Sequence, residues 1–152
     1  MINNLRLLFL AAVLFATTAP ATVLAAEPPS AALASAQALD ALQQLLAAYS
    51  AGNPQQVESL VEPKMIGYSR VVDAVRDAGL AQKQLRLTLS DTRTQMSEDV
   101  VIVQTHWEKR SQPASGRAAR LTNGRCTFVM RPVDASGWKL SALSGDNPFG
   151  AD

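Results

Sequence analysis

The sequence predicts an α+β domain in which three N-terminal helices pack on a curved, four-stranded antiparallel sheet. Apolar residues recur at helical spacing through the first half of the chain, and from Gln82 onward they alternate with polar residues. Helices followed by hairpin-connected strands must cover one face of the sheet, because each element has only one apolar side. We therefore expect a cone-shaped domain with a single core.

The first predicted helix runs from about Ala31 to Ala51 and is closed by Gly52. Its apolar residues fall on one face, as the helical period requires. The members of this stripe are Leu39, Leu42, Leu45, Leu46 and Tyr49.

Two shorter helices are predicted from their end signals. Asn53 precedes Pro54, which is the arrangement of an N-cap followed by proline at the first helical position. This second helix should stop before Pro63, because the residue preceding a proline avoids helical geometry. We expect Ser69 to cap a third helix and Gly79 to end it.

Four strands are predicted after the helices. Leucines alternate with polar residues in the first strand, and the second strand, after a turn at 97–99, is apolar on both faces over its first half. The second strand should therefore be central. The third strand runs to Arg131 with Gly124 as an expected bulge, and the last is WKLSAL at 138–143.

The N-terminus has the pattern of a secretory signal peptide. Arg6 precedes the apolar run Leu7–Phe15, and small residues ending near Ala25 resemble an A-x-A cleavage site. The run is too short to span a membrane. We expect residues 1–26 to be removed and residues 27–150 to form one exported domain with a short C-terminal tail, periplasmic or secreted, without a membrane span.

Charge patterning excludes one class of partner and suggests another. The formal net charge is +1, so nothing indicates nucleic acid, for which a strongly basic domain would be expected. Residues 83–131 nevertheless hold nine basic and four acidic residues. A basic strip on the exposed sheet face would meet anionic headgroups, polysaccharide or an acidic partner, although a merely solvated face fits equally well. Its members would be Arg86, Arg93, Arg117, Arg120, Arg125 and Arg131.

The pattern as a whole resembles the nuclear-transport-factor-2-like, or SnoaL-like, superfamily. The resemblance covers about residues 31–143 and is carried by LQQLLAAYSAGNPQQVESLV at 42–61, by Trp107, and by Gly137 and Trp138 opening the last strand. It implies a cystatin-like roll with a cavity between helices and sheet. Enzymes that share this fold, such as ketosteroid isomerase and scytalone dehydratase, present carboxylates, histidines or tyrosines in that cavity.

The resemblance also suggests where a ligand would bind. Tyr49 and Tyr68 occupy positions that often border the cavity mouth in this superfamily, and further aromatic residues lie on the strands. We take Tyr49, Tyr68, Trp107, Phe128 and Trp138 as the candidate binding residues. Aromatic residues at such spacing serve equally well as core.

The only cysteine is predicted to be structural. Cys126 alternates in step with Phe128 and Met130, so it should be a small buried residue with a raised pKa and low reactivity. A single histidine and a single cysteine cannot fill a tetrahedral metal site, and no phosphate-binding loop is present in the sequence. We therefore expect no metal and no cofactor.

The only histidine is the one candidate for acid–base catalysis, because its unperturbed pKa lies near neutrality. His106 sits in the second strand, and an aspartate could reach it only from Asp73, Asp77 or Asp91. With no recognisable motif around it, a structural or surface histidine is favoured.

Three functional hypotheses follow. The leading one is an exported, non-catalytic domain that binds a small apolar ligand or a partner protein in the cell envelope. The second is an isomerase, dehydratase or hydrolase in which His106, helped by Tyr49 or Tyr68 and by an aspartate, acts as acid or base. The third is an oligomer-forming accessory subunit, such as a homodimer, because sheets of this superfamily frequently pair face to face. Phe149 in the tail would plug the cone or grip another chain.

Overall fold

A computed structural model of the protein describes residues 30–134 and 137–150, and the expected signal peptide at 1–26 lies outside the described residues. Within those ranges no helix is both long enough and apolar enough to cross a membrane. The elements are α1 (Ala31–Ser50), α2 (Pro54–Leu60), α3 (Tyr68–Ala81), β1 (Gln82–Ser97), β2 (Val100–Pro113), β3 (Arg120–Pro132) and β4 (Trp138–Gly145). The α+β fold predicted from the sequence is confirmed.

The first two helices begin at side-chain caps. Ser30 accepts a hydrogen bond from the Leu33 N–H at 3.3 Å, and Asn53 Oδ1 accepts one from the Gln56 N–H at 3.1 Å. Each cap satisfies a backbone donor that has no partner within the helix. The helix α1 then buries one face in the core, as its leucine stripe predicted.

The third helix differs from the prediction at both ends. It begins after Gly67, which has a φ of 87°, and Ser69 is not its cap. It also continues past Gly79 to Ala81. Gly79 instead lies against Gly52: a Cβ at position 79 would lie 3.3 Å from the carbonyl oxygen of Gly52, a tight contact. The expected helix end at Gly79 is wrong, because α3 continues to Ala81, and the glycine lies where two backbone segments approach closely.

The four strands form one antiparallel sheet in the order β1-β2-β3-β4, which makes β2 central as predicted. Alternate residues of β2 and β3 point into the core. These inward residues are Val101, Val103, Thr105, Trp107, Lys109 and Ser111 on β2, and Cys126, Phe128 and Met130 on β3. Their intervening neighbours face away from the helices, so the sheet has a buried inner face and an outer face.

The expected bulge at Gly124 is wrong, because Gly124 pairs with Trp107 in an unbroken register. A Cβ on Gly124 would lie 2.7 Å from Trp107 Cζ2 and 2.7 Å from Asp146 Cβ. The Trp107 indole N–H also donates to the Asp146 carbonyl at 2.9 Å. Gly124 therefore makes room for the indole ring. Register shifts do occur elsewhere in the sheet: in β1 between Gln82 and Gln84 and, as a bulge, between Ser90 and Arg93, and in the pairing of β3 with β4 between Val129 and Met130.

The tail after β4 closes the cone. Phe149 is fully buried, and its ring meets Tyr49 edge-on at a centroid distance of 5.1 Å and Phe128 at 6.4 Å. The Gly150 carbonyl accepts a hydrogen bond from Lys109 Nζ at 2.8 Å. Of the two roles expected for Phe149, the structure shows the plug.

Candidate functional site

A cleft of about 1050 Å³ opens between α3 and the inner face of the sheet. Its helical side is formed by Ala74, Ala78 and Ala81, which share one face of α3 because they are spaced by four and three residues. Leu85 and the Phe149 ring supply further apolar surface. Small residues on α3 leave space that larger side chains would fill. We call this space the cleft.

The floor of the cleft is made by the tail and α1. Tyr49 and Phe149 both line it, and their edge-to-face contact closes its inner end. Edge-to-face pairs are a favoured aromatic geometry and add to the burial of the rings. A molecule in the cleft would therefore rest on a fixed aromatic surface.

Charged side chains are unevenly distributed around the cleft. Basic groups come from α3, from β2, from the segment after β2 and from β3, whereas both carboxylates come from α3. The charged lining residues are Arg70, Lys109, Arg117 and Arg120 on the basic side, and Asp73 and Asp77 on the acidic side. Asp73 also pairs with Arg76 at 2.9 Å. The charged side chains that line the cleft therefore carry a net positive charge.

Lys109 was not among the site residues predicted from the sequence. It is only 4% exposed, although a lysine on a strand usually faces water. The available signal was its register, because Lys109 lies two residues after Trp107 on the inward side of β2. Its hydrogen bond to Gly150 holds the ammonium group beside the tail that forms the floor.

Gln82, where α3 passes into β1, lines the cleft with a polar atom that lacks a partner. Its Oε1 is buried and accepts no hydrogen bond from any described residue. A buried acceptor without a donor is costly, so such atoms are normally satisfied by water or by a ligand. Water that enters the open cleft, or a ligand, can supply the missing donor to Gln82 Oε1.

Of the five candidate aromatic residues, the structure brings only Tyr49 to the cleft. Tyr68 starts α3 and is partly buried against the core. Phe128 and Trp107 are buried on the inner sheet face. Trp138 is buried at the start of β4, and its indole N–H donates to Gln37 of α1 at 3.3 Å.

His106 lies on the outer face of the sheet, opposite the cleft. Its Nδ1 is 3.1 Å from Asp91 Oδ2, and the two side chains are 41% and 76% exposed. Asp91 stands in the β1 bulge with a φ of 50°. The structure does not bring His106 together with Tyr49, which is buried on the helix side. In the described part of the chain, no three His, Cys, Asp or Glu side chains cluster to hold a metal.

The predicted basic strip is divided between the two faces of the sheet. Arg117 and Arg120 line the cleft. Arg86, Arg93, Arg125 and Arg131 are exposed, and they alternate with inward residues of β1 and β3. Two of the six arginines therefore belong to the candidate site.

Cys126 is buried on the inner face of β3, as predicted. Burial raises the pKa of its thiol from 9.0 to about 12, and the carboxylate of Asp146 adds to the shift. The thiol is therefore protonated at neutral pH and is a poor nucleophile.

This pKa predicts slow alkylation. At pH 8 iodoacetamide should modify Cys126 about a thousandfold more slowly in the folded protein than in denaturant, because the thiolate fraction falls tenfold per pKa unit. The rate is measured by mass spectrometry. The same pKa shift makes stability depend on pH. Because the thiol of the unfolded chain ionises at a lower pH than the buried thiol, the stabilisation is full below pH 9 and is lost as the pH rises towards 12. Equal rates in the two states would show that the sulfur is accessible.

No protein-family model matches the sequence, and no curated protein matches it. Solved structures do match. A nuclear-transport-factor-2-like superfamily protein from Salmonella enterica serovar Typhimurium superposes with a TM-score of 0.68 at 13% identity, over 77% of this chain and 92% of that chain. A nuclear-transport-factor-2-like protein from Cytophaga hutchinsonii gives 0.58 at 20% identity, over 70% and 92%.

A proposed scytalone dehydratase from Novosphingobium aromaticivorans is also similar, with a TM-score of 0.62 at 13% identity, over 74% of this chain and 84% of that chain. Identities this low establish shared architecture, and activity depends on the site rather than on the fold. The protein therefore has the nuclear-transport-factor-2-like fold, as the resemblance in its sequence predicted.

Proposed function

We propose that this protein is an exported, non-catalytic domain that binds a small molecule with an apolar body in the cleft. The observation that carries the proposal is the cleft itself, about 1050 Å³ in volume, with an alanine-lined side and an aromatic floor. Small-molecule sites are typically concave, largely apolar and of about this size.

Two features of the chain support binding over simple packing. The alanines of α3 keep their side of the cleft open, whereas the adjoining side of the same helix buries the larger Val71 and Val75 in the core. The floor is preformed, since Phe149 is held by rings on both α1 and β3. A preformed site binds without the cost of ordering its own side chains.

The cell envelope or the extracellular medium is the proposed location. The support comes from the sequence of residues 1–26, with Arg6, the apolar run Leu7–Phe15 and the small residues before Ala25. An exported binding domain would meet its ligand outside the cytoplasm.

Filling the cleft tests the proposal. The variant Ala78→Trp should weaken binding of the neutral probe N-phenyl-1-naphthylamine at least about tenfold, because the indole would occupy the apolar space. Gln55→Trp on the exposed side of α2 is the matched control and should bind as the wild type does. Probe fluorescence gives the affinities, and circular dichroism checks that both variants are folded. Undiminished binding by Ala78→Trp would exclude the cleft.

Catalysis on the outer face is the second candidate, favoured by the hydrogen-bonded pair of His106 and Asp91. An aspartate that orients a histidine is a recurrent part of acid–base sites. In this case hydrolysis of 4-nitrophenyl acetate should fall to the background rate in His106→Gln and should be unchanged in Ala78→Trp. A background rate in the wild type counts against this candidate.

A further inference from the structure

We infer that the ligand of the cleft is an amphipathic anion, with an apolar body and one carboxylate or phosphate head group. This inference rests on the proposed function and assigns the chemical class of its ligand. It depends on three features of the lining: the balance of charge, the absence of ion pairs at three arginines within the described residues, and the position of two of these arginines away from the apolar surface.

The balance of charge favours a negative head group. Four basic and two acidic residues line the cleft, and the carboxylate of Asp73 is already paired with Arg76. Asp77 is the remaining acidic group. A concave site with one prevailing sign of charge attracts ligands of the opposite sign and repels those of the same sign.

The arginines that line the cleft are available to such a head group. Among residues 30–134 and 137–150, no ion pair is formed by Arg70, Arg117 or Arg120. Lys109 differs, because its ammonium group donates to the Gly150 carbonyl. A guanidinium group matches carboxylate and phosphate oxygens with two parallel hydrogen bonds. These arginines are thus the groups that we expect to bind the head.

Two of the four basic groups, Arg117 and Arg120, lie apart from the apolar surface of the lining. The apolar surface comes from Ala74, Ala78 and Leu85 and from the rings at the floor, whereas Arg117 and Arg120 lie in and just after the exposed segment that joins β2 to β3. A molecule with its apolar end on Phe149 and its charged end towards this segment satisfies both regions. A neutral apolar molecule would gain nothing from these arginines, which are exposed and would stay hydrated.

The test compares three ligands of equal chain length as competitors of N-phenyl-1-naphthylamine: decanoate, decanol and decyltrimethylammonium. Decanoate should compete at a concentration at least about tenfold lower than decanol, and the cation should compete least well. The double variant Arg117→Gln/Arg120→Gln should weaken decanoate binding about fivefold or more and leave decanol unchanged. Arg131→Gln on the outer face is the matched control and should change neither.

The outcomes separate the inference from the proposed function. If decanol competes as well as decanoate, or if the double variant keeps the full preference for decanoate, the anionic class is wrong while binding in the cleft stands. If neither the probe nor any competitor binds, the proposed function fails. Monodecyl phosphate distinguishes the two head groups: tighter binding than decanoate supports the anion and assigns a phosphate, and weaker binding assigns a carboxylate.

Discussion

Replacing Phe149 by alanine is expected to lower the free energy of unfolding by about 3–5 kcal/mol, the usual cost of removing a buried phenylalanine ring. Phe149 is fully buried and contacts the rings of Tyr49 and Phe128, so the substitution removes apolar burial and two aromatic contacts together. Guanidinium-induced unfolding, followed by circular dichroism, measures the loss.

The control for Phe149→Ala is Ile66→Ala, because Ile66 is 99% exposed. Its effect should stay within about 0.5 kcal/mol, as for other surface substitutions. A loss for Phe149→Ala no larger than that of the control would mean that the tail does not plug the cone in solution. The floor of the cleft would then be missing, and the proposed site with it.

Gly52→Ala is expected to destabilise the protein by about 2–4 kcal/mol, from backbone strain together with a steric clash. Gly52 has a φ of 64°, a conformation that alanine adopts at a cost. A Cβ at this position would also lie 2.8 Å from the Cα of Gly79, and a backbone atom inside a helix cannot move aside cheaply. Thermal and chemical unfolding measure the effect.

Gly67→Ala separates the two contributions. Gly67 has a φ of 87°, but a Cβ there would have nothing within 4 Å, so this variant carries the strain without the clash. We expect it to lose about 1 kcal/mol. The excess loss in Gly52→Ala measures the close approach that fixes α3 against the end of α1. Equal losses in the two variants would show that no such approach exists.

Local signals predicted most of the fold. The change from helical to alternating spacing at Gln82 marks the start of β1, since this periodicity follows from backbone geometry and the need to bury one face. The position of Cys126 beside Phe128 and Met130 on the inner face was predictable for the same reason. The Asn53–Pro54 helix start was likewise encoded within a few residues.

The errors arose at residues whose role depends on a contact with a residue distant in the sequence. A glycine at position 79 suggests a helix end, but its backbone lies inside α3 and packs closely against Gly52. Gly124 suggests a bulge, but it accommodates the ring of Trp107 on the neighbouring strand. A sequence pattern identifies a glycine without showing which atom approaches it.

The candidate site was harder to predict than the fold. Four of the five aromatic candidates do not line the cleft, whereas alanines of α3 and a buried lysine do. Open space arises from small residues, which carry no chemical signal in a sequence. Lys109 faces inward because β2 imposes its alternation, although residue type alone favours exposure.

The most direct test of the central claim, that the cleft holds a small molecule in an exported protein, is native mass spectrometry of the protein purified from its own cells. We expect the mass of a chain cleaved near residue 26 together with a bound small molecule that is lost in Ala78→Trp. An uncleaved chain would contradict export. A cleaved chain without a bound molecule, or with the same molecule in both proteins, would contradict binding in the cleft.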